Sequence, residues 1–185
     1  SSAASDVYKR QPIYGGISYD RLENGGLQWP CPDRSHPGTK FLHKDRFARG
    51  LGLFHITPYK PPAEEPDEEY PLILTTGRVL YHWHTRSMTS RVEGLNEIYP
   101  EGLIEISPED AEELGIRDGE MVRVRSRRGE TTAKAQVTER VPKGTVFMTF
   151  HFREAAANLL TNDALDPVAK IPELKVCAVR VEKIT

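Results

Sequence analysis

The stretch from Thr76 to Thr89 concentrates residue types that can hold an anion. Thr76-Gly77-Arg78 follows a short apolar run and offers a hydroxyl, backbone N–H groups opened to approach by a glycine, and a guanidinium. A planar guanidinium bonds two oxygens at once, which suits phosphate better than a lysine ammonium does. The plain alternative for these three residues is an ordinary β-turn with a solvated arginine. Further on, His82 and His84 flank Trp83, and on an extended chain side chains two apart project to one face. That spacing raises a metal site, but neither a third ligand nor a carboxylate at helical spacing accompanies it, so metal ligation is not expected. Thr85, Ser87, Met88 and Thr89 follow close behind.

Composition excludes several classes. Cys31 and Cys177 stand far apart with no CxxC spacing, which rules out a zinc ribbon or a cysteine-ligated cluster within the chain. Two buried thiols in a reducing cytoplasm are the favoured reading, with one disulfide and a periplasmic location left open. The formal net charge of −2 argues against a general polyanion binder, so no nucleic-acid partner is expected. The longest apolar runs, such as Pro71-Leu72-Ile73-Leu74, are too short to span a bilayer, and a soluble protein is expected. At 185 residues the chain can bury a core without a disulfide or metal staple.

The elements that must position these residues begin after Tyr70. Pro71 to Thr76 and Gly102 to Ile106 read as short strands. Between Ser107 and Gly115 the signals for a helix are complete: Ser107 as N-cap, Pro108 at the first helical position, acids in the first turn, and Gly115 as the stop. Met121 to Ser126 and Thr131 to Val137 form a hairpin across Arg127-Arg128-Gly129. Thr145 to Phe150 is a nearly continuous apolar strand, and Lys175 to Val181 closes the domain. About six short strands with one short helix predict a compact, mainly β barrel with short helices.

Upstream, the character differs. Residues 1–11 are small and polar, lack the features of a signal peptide, and read as a leader left by processing, cloning or sequence assembly. Residues 12–57 carry many Gly, Pro, His and aromatic residues with little periodicity, so they are expected to drape over a larger body rather than build a core. Pro58 to Tyr70 mixes prolines with a run of acids and predicts an extended, solvated linker ahead of the barrel domain at 71–185. The chain is thus expected to be the C-terminal piece of a longer polypeptide.

Three segments carry a specific resemblance: LTTGRVLYHWHTRSMTSR (Leu74 to Arg91), SPEDAEELGIRDGEMVRVRSRRG (Ser107 to Gly129) and ANLLTNDALDPVAKIPELKVCAVRVEK (Ala157 to Lys183). They resemble the C-terminal dinucleotide-binding domain of molybdopterin oxidoreductases, and within that family the large subunit of a molybdenum- or tungsten-dependent formate dehydrogenase. Tyr14 to Phe54 is similar to the stretch that precedes this domain in that subgroup. The resemblance implies a double-psi β-barrel and a bis-molybdopterin guanine dinucleotide lying between this barrel and upstream domains of the same subunit. It also implies oxidation of formate to CO₂, with electrons leaving through an iron–sulfur cluster in the missing upstream part toward electron-transfer subunits or an acceptor such as NAD. The alternatives are the same domain of a nitrate reductase or another superfamily member, and a non-enzymatic double-psi barrel binding module.

Mapped by the resemblance, cofactor contacts fall on Thr76, Gly77, Arg78, His82, His84 and Thr85, with Ser87, Met88 and Thr89 extending the surface. The histidines would then act as imidazole donors to pterin or phosphate oxygens. Asn158 and Lys175 match dinucleotide-binding positions: an Asn amide offers donor and acceptor to a planar heterocycle, and a Lys neutralises phosphate. Phe150 lies near a cofactor or funnel position but is read in the first place as a core aromatic. The chain departs from the commonest family form at Arg86, where a Gly is usual. No stretch matches the family motif carrying the metal-ligating Cys or selenocysteine with its His and Arg, so no catalytic residue and no metal ligand is expected here, and Cys177 is read as a buried core thiol.

Overall fold

In a computed structural model, residues 11–184 are described, and they fall into two compact units, Ser1–Pro58 and Tyr59–Thr185. The expected leader lies outside the described residues apart from Gln11. The first unit has little regular structure: a 3-10 turn at Pro12–Tyr14, a one-turn helix α1 (Tyr19–Leu22), and a bridge between Phe47 and Gly50. Long-range polar bonds organise it instead. Cys31 N–H donates to the Ile13 carbonyl at 2.7 Å, and the Arg21 guanidinium donates to the Gly16 and His36 carbonyls at 2.6 and 2.7 Å. Several of its apolar side chains stay bare, with Leu51, Phe54 and Ile56 exposed at 92%, 99% and 100%.

In the second unit six strands close into a barrel in the order β1-β5-β2-β4-β3-β6. They are β1 (Leu72–Gly77), β2 (Leu103–Ile106), β3 (Met121–Arg125), β4 (Glu130–Val137), β5 (Thr145–Thr149) and β6 (Cys177–Lys183), with short helices α2 (Glu93–Ile98) and α3 (Pro108–Leu114) between them. β1 runs parallel to β5 and antiparallel to β6, and β4 runs parallel to β2 and antiparallel to β3. Exchanging β1, β2, β3 for β4, β5, β6 maps these pairings onto one another, and maps the β2–β5 and β3–β6 pairs onto themselves. Two interlocked three-stranded halves, joined by the two parallel pairs β1–β5 and β2–β4, make a double-psi β-barrel, the fold that the resemblance implies.

Strand periodicity fills the barrel. Val122 and Val124 of β3 turn inward while Arg123 and Arg125 face out, and Leu74, Ile104, Ile106, Val146 and Met148 are fully buried beside them. The hairpin register pairs Arg125 with Glu130, whose side chains meet at 3.4 Å. Cys177 is a buried free thiol in this core, where desolvation pushes it up to about 11, and Cys31 in the first unit is a free thiol too. Among the described residues no helix is long and apolar enough to cross a membrane.

The two ends of the barrel differ. One is closed by α3, whose Ser107 hydroxyl accepts from Asp110 N–H at 3.1 Å and donates to the Asp110 carboxylate at 2.8 Å, while Gly115 ends the helix at φ 64°. The Asp110 carboxylate also accepts from Gly144 N–H at 2.8 Å, joining α3 to the turn before β5. The other end carries the long connections 78–102 and 150–176 and the hairpin turn at 126–129.

The segment expected to be a solvated linker is instead tied to that second end. The Glu64 carboxylate accepts two bonds from Arg128, one at 2.9 Å, and a third from Ala178 N–H at 2.6 Å at the start of β6, with Arg127 at 3.4 Å. A run of acids reads as solvated in sequence, but here it faces Arg127 and Arg128 of the hairpin turn. The bond from Arg128 is the main cause that holds the Glu64 carboxyl below its usual range.

Candidate functional site

Because β1 and β5 are parallel with Gly77 opposite Thr149, the chain leaves both strands at the same end of the barrel. β6, antiparallel to β1, begins there as well. Strand direction therefore gathers the 78–91 loop, the 150–160 segment with its 3-10 turn Ala157–Leu159, and Lys175 at one end, although up to 99 residues separate Thr76 from Lys175.

The sequence-derived candidates divide into an inner and an outer set. Thr76 and His82 are each 3% exposed. The Thr76 hydroxyl donates to the Leu174 carbonyl at 2.6 Å, and its own carbonyl accepts from Lys175 Nζ. Gly77 is needed for a different reason from the one its sequence position predicts: a Cβ there would lie 2.6 Å from the Phe147 ring, so its missing side chain makes room for Phe147.

The two histidines do not project to one face, because the chain turns rather than extends after Arg78. His82 Nε2–H donates to the Tyr99 carbonyl at 2.8 Å, which leaves Nδ1 to accept from the Thr89 hydroxyl at 3.2 Å. Thr89 Oγ1 in turn accepts Trp83 N–H at 3.2 Å. Both ring nitrogens of His82 are thus engaged inside the loop, so of the two rings only that of His84 stands exposed.

In the outer set are Arg78, His84, Thr85, Ser87, Met88, Asn158 and Lys175, all exposed. The Arg78 guanidinium lies 5.7 Å from both the Trp83 and Phe150 ring centroids and donates to His84 Nε2 at 3.1 Å, which leaves His84 Nδ1 carrying its proton. Neither Arg78 nor Lys175 has a carboxylate partner among the described residues, whereas Arg125, Arg127, Arg128 and Arg140 of the same unit all do. The Asn158 backbone carbonyl accepts from the Thr161 hydroxyl at 3.2 Å. Two cations left without carboxylates, a ring N–H, an exposed amide and exposed aromatic faces form a donor set that suits a pyrophosphate joined to planar heterocycles.

Two residues depart from their expected roles. Phe150 is half-buried under Arg78 and beside His151 at 5.1 Å rather than in the core, because β5 ends at Thr149; the core aromatic is Phe152, 1% exposed. Arg86 folds back at φ 64°, stacks 4.4 Å over Phe152, and bonds Asn96 at 3.0 Å and Glu154 at 3.5 Å. His151, Phe152 and Tyr99 were missed by the sequence reading. Only an aromatic cluster around residue 151 marked them, and nothing local showed that it would meet a loop about seventy residues earlier.

A six-stranded double-psi barrel with an anion-suited rim is the class that this fold and site define. Residues 72–178 match the family described as the Molydopterin dinucleotide binding domain, and the chain belongs to that family. It is 54% identical to the F420-dependent formate dehydrogenase subunit alpha of Methanocaldococcus jannaschii over 97% of its own length and 27% of that protein's. It is 41% identical to the assimilatory nitrate reductase catalytic subunit of Bacillus subtilis over 91% of the chain and 24% of that protein. Among solved structures, acetylene hydratase from Pelobacter acetylenicus shares the fold, with a TM-score of 0.61 at 18% identity over 92% of this chain and 28% of that one. The chain therefore spans about a quarter of the length of the curated relatives it matches.

Proposed function

We propose that this chain is the cofactor-holding domain of a formate dehydrogenase large subunit, and that it grips a bis-molybdopterin guanine dinucleotide carrying molybdenum or tungsten. The observation that carries the reading is the pairing of the family match with Arg78 and Lys175, two cations at one barrel end with no carboxylate partner among the described residues. Arg78 would meet the pyrophosphate, Lys175 would add positive charge, and Asn158 would bond a heterocycle edge. When bound, the group supplies the metal and pterins through which two electrons leave formate as it becomes CO₂. The chain's own residues bind and orient that group, which is the protein's share of work in a cofactor enzyme.

The remaining parts of the reading concern the full-length protein. Upstream domains of the same subunit would hold the iron–sulfur cluster and the metal ligand, and electron-transfer subunits would receive the electrons in a cytoplasmic enzyme. The name of the Methanocaldococcus relative favours F420 over NAD as acceptor. A nitrate reductase is the second reading, supported by the 41% identity to the Bacillus protein but at a lower level than the formate enzyme.

Anaerobic purification of the full-length polypeptide from a host with intact cofactor synthesis is expected to yield molybdenum or tungsten together with releasable guanine nucleotide. Finding neither overturns the proposal. Arg78→Ala is expected to lower nucleotide occupancy by roughly tenfold or more, the loss of a charge-assisted bond to phosphate. Formate-dependent reduction of F420 or NAD, set against reduction of nitrate, separates the two enzyme readings.

A further inference from the structure

We propose that His151 is the positioning residue of this site: its ring bolts the loop carrying Arg78 and His84 to the end of β5, and a second proton on that ring breaks its bond to Val79 and loosens the loop. This rests on the cofactor reading above and adds to it a residue and a pH dependence. His151 is 6% exposed and follows β5 by two residues. Its Nδ1–H donates to the His84 carbonyl at 2.5 Å, and its Nε2 accepts Val79 N–H at 3.2 Å. The two bonds reach 67 and 72 residues back along the chain and bracket the segment that begins beside Arg78 and ends at His84. Both go to backbone, so they fix the course of the loop whatever side chains it carries.

The geometry allows one tautomer. A carbonyl faces Nδ1, which must donate, and an N–H faces Nε2, which must accept. Protonating Nε2 would set one N–H against another and remove the Val79 bond. His84 also sits at φ 48°, a left-handed conformation that a histidine keeps only where its surroundings hold it, and the bond from His151 falls on its carbonyl.

The groups facing His151 also disfavour the charged ring. From the 78–91 loop come the Arg78 and Arg86 guanidiniums and the His82 ring, whose centroid is 6.1 Å away. The Glu154 carboxylate, three residues on in the chain, is paired with Arg86. Burial is the largest cause; the bond to the His84 carbonyl opposes it, and with the His82, Arg78 and Arg86 neighbours burial prevails, so the affinity of His151 for a second proton lies below the usual histidine value of 6.5. A base whose closed-loop value is depressed favours closure fully above the free value and loses that contribution as pH falls below it. The hold is thus intact at neutral pH and weakens as pH drops below about 6.5.

The test uses the full-length protein purified with its nucleotide, and follows guanine nucleotide release together with hydrogen exchange of the Val79 amide at pH 7.5 and 5.5. Wild-type protein is expected to release faster at the lower pH, and its Val79 amide to lose protection there relative to the intrinsic exchange rate, which itself falls with pH. His151→Phe, which keeps the ring shape without the bonds, is expected to release roughly tenfold faster at pH 7.5, the equivalent of one to two hydrogen bonds, with little further change at pH 5.5. His151→Gln, able to accept from Val79 but not to titrate, is expected to restore part of the retention with no pH dependence; should the Phe variant fail to fold, this flat profile carries the test. Wild-type release and exchange rates in either variant at both pH values overturn the proposal. Absence of guanine nucleotide from the wild type would overturn the cofactor reading instead, and Val79 exchange, which needs no cofactor, would still report on His151.

Discussion

The two ends of the barrel solve the same problem in opposite ways. At the α3 end the helix cap is satisfied by neighbours in sequence: Ser107 and Asp110 bond each other within one helical turn, and Gly144 N–H joins them from the turn before β5. At the loop end the partners are distant, as with His151 and Val79, Lys175 and Thr76, or Glu64 and Ala178. The loop end also holds the left-handed residues His84 and Arg86 and the cations without carboxylates. Local closure joins the cap to the barrel through groups that bond one another. Closure at a distance leaves side chains exposed between the anchoring points, which is what a ligand-gripping surface requires.

The largest effect that separates the ends is expected from Asp110→Ala. It strips the buried partner from Gly144 N–H and from the Ser107 hydroxyl, and should cost roughly 3 kcal/mol. For a protein of this size that lowers the midpoint of thermal unfolding by on the order of 10 °C. Nucleotide release from the full-length protein should stay at the wild-type rate, because no loop-end residue is touched. Faster release in this variant would show that the two ends are mechanically coupled, and the contrast between them would fail.

The same contrast accounts for how much the sequence disclosed. The α3 boundaries were legible to the residue because cap, first-turn proline and stop glycine lie within nine positions of each other, and the β3–β4 hairpin because its turn and alternation are local. Arg78 was legible by chemical type and stands exposed at the rim. The inward turn of His82 was not, since it depends on Thr89 and Tyr99, and the extended-chain premise that paired it with His84 fails where the backbone turns. The acidic run at 64–69 misled for a related reason. Its charge reads as solvation until Arg127 and Arg128 are brought opposite by the hairpin.

That last pairing predicts a pH effect of intermediate size at the loop end. The Glu64 carboxyl is held below its usual 4.5, chiefly by its bond from Arg128. A carboxylate with a depressed folded value stabilises the fold at pH above 4.5 and loses that contribution as pH falls through the folded value. Glu64→Gln is expected to cost about 1–2 kcal/mol at pH 7 by removing a charge-assisted pair, with the gap from wild type closing as unfolding is measured toward pH 3. A gap independent of pH would mean that Glu64 holds the segment by shape rather than by charge.

The smallest effect concerns Arg86, and it asks whether the loop end stores backbone strain. At φ 64° a side chain is disfavoured and glycine is not. The guanidinium gives something back through its stack on Phe152 and its bonds to Asn96 and Glu154, although its Nε is buried without a partner. Arg86→Ala loses those contacts and keeps the strain, whereas Arg86→Gly loses the contacts and the strain together. The Gly variant is therefore expected to be the more stable of the two by about 1 kcal/mol, a difference of a few degrees in thermal unfolding. Equal midpoints would mean that the turn relaxes once the arginine is gone. In that case the left-handed backbone is held by the guanidinium contacts themselves, and the order of the loop end comes from side chains reaching across it, not from the path of the chain.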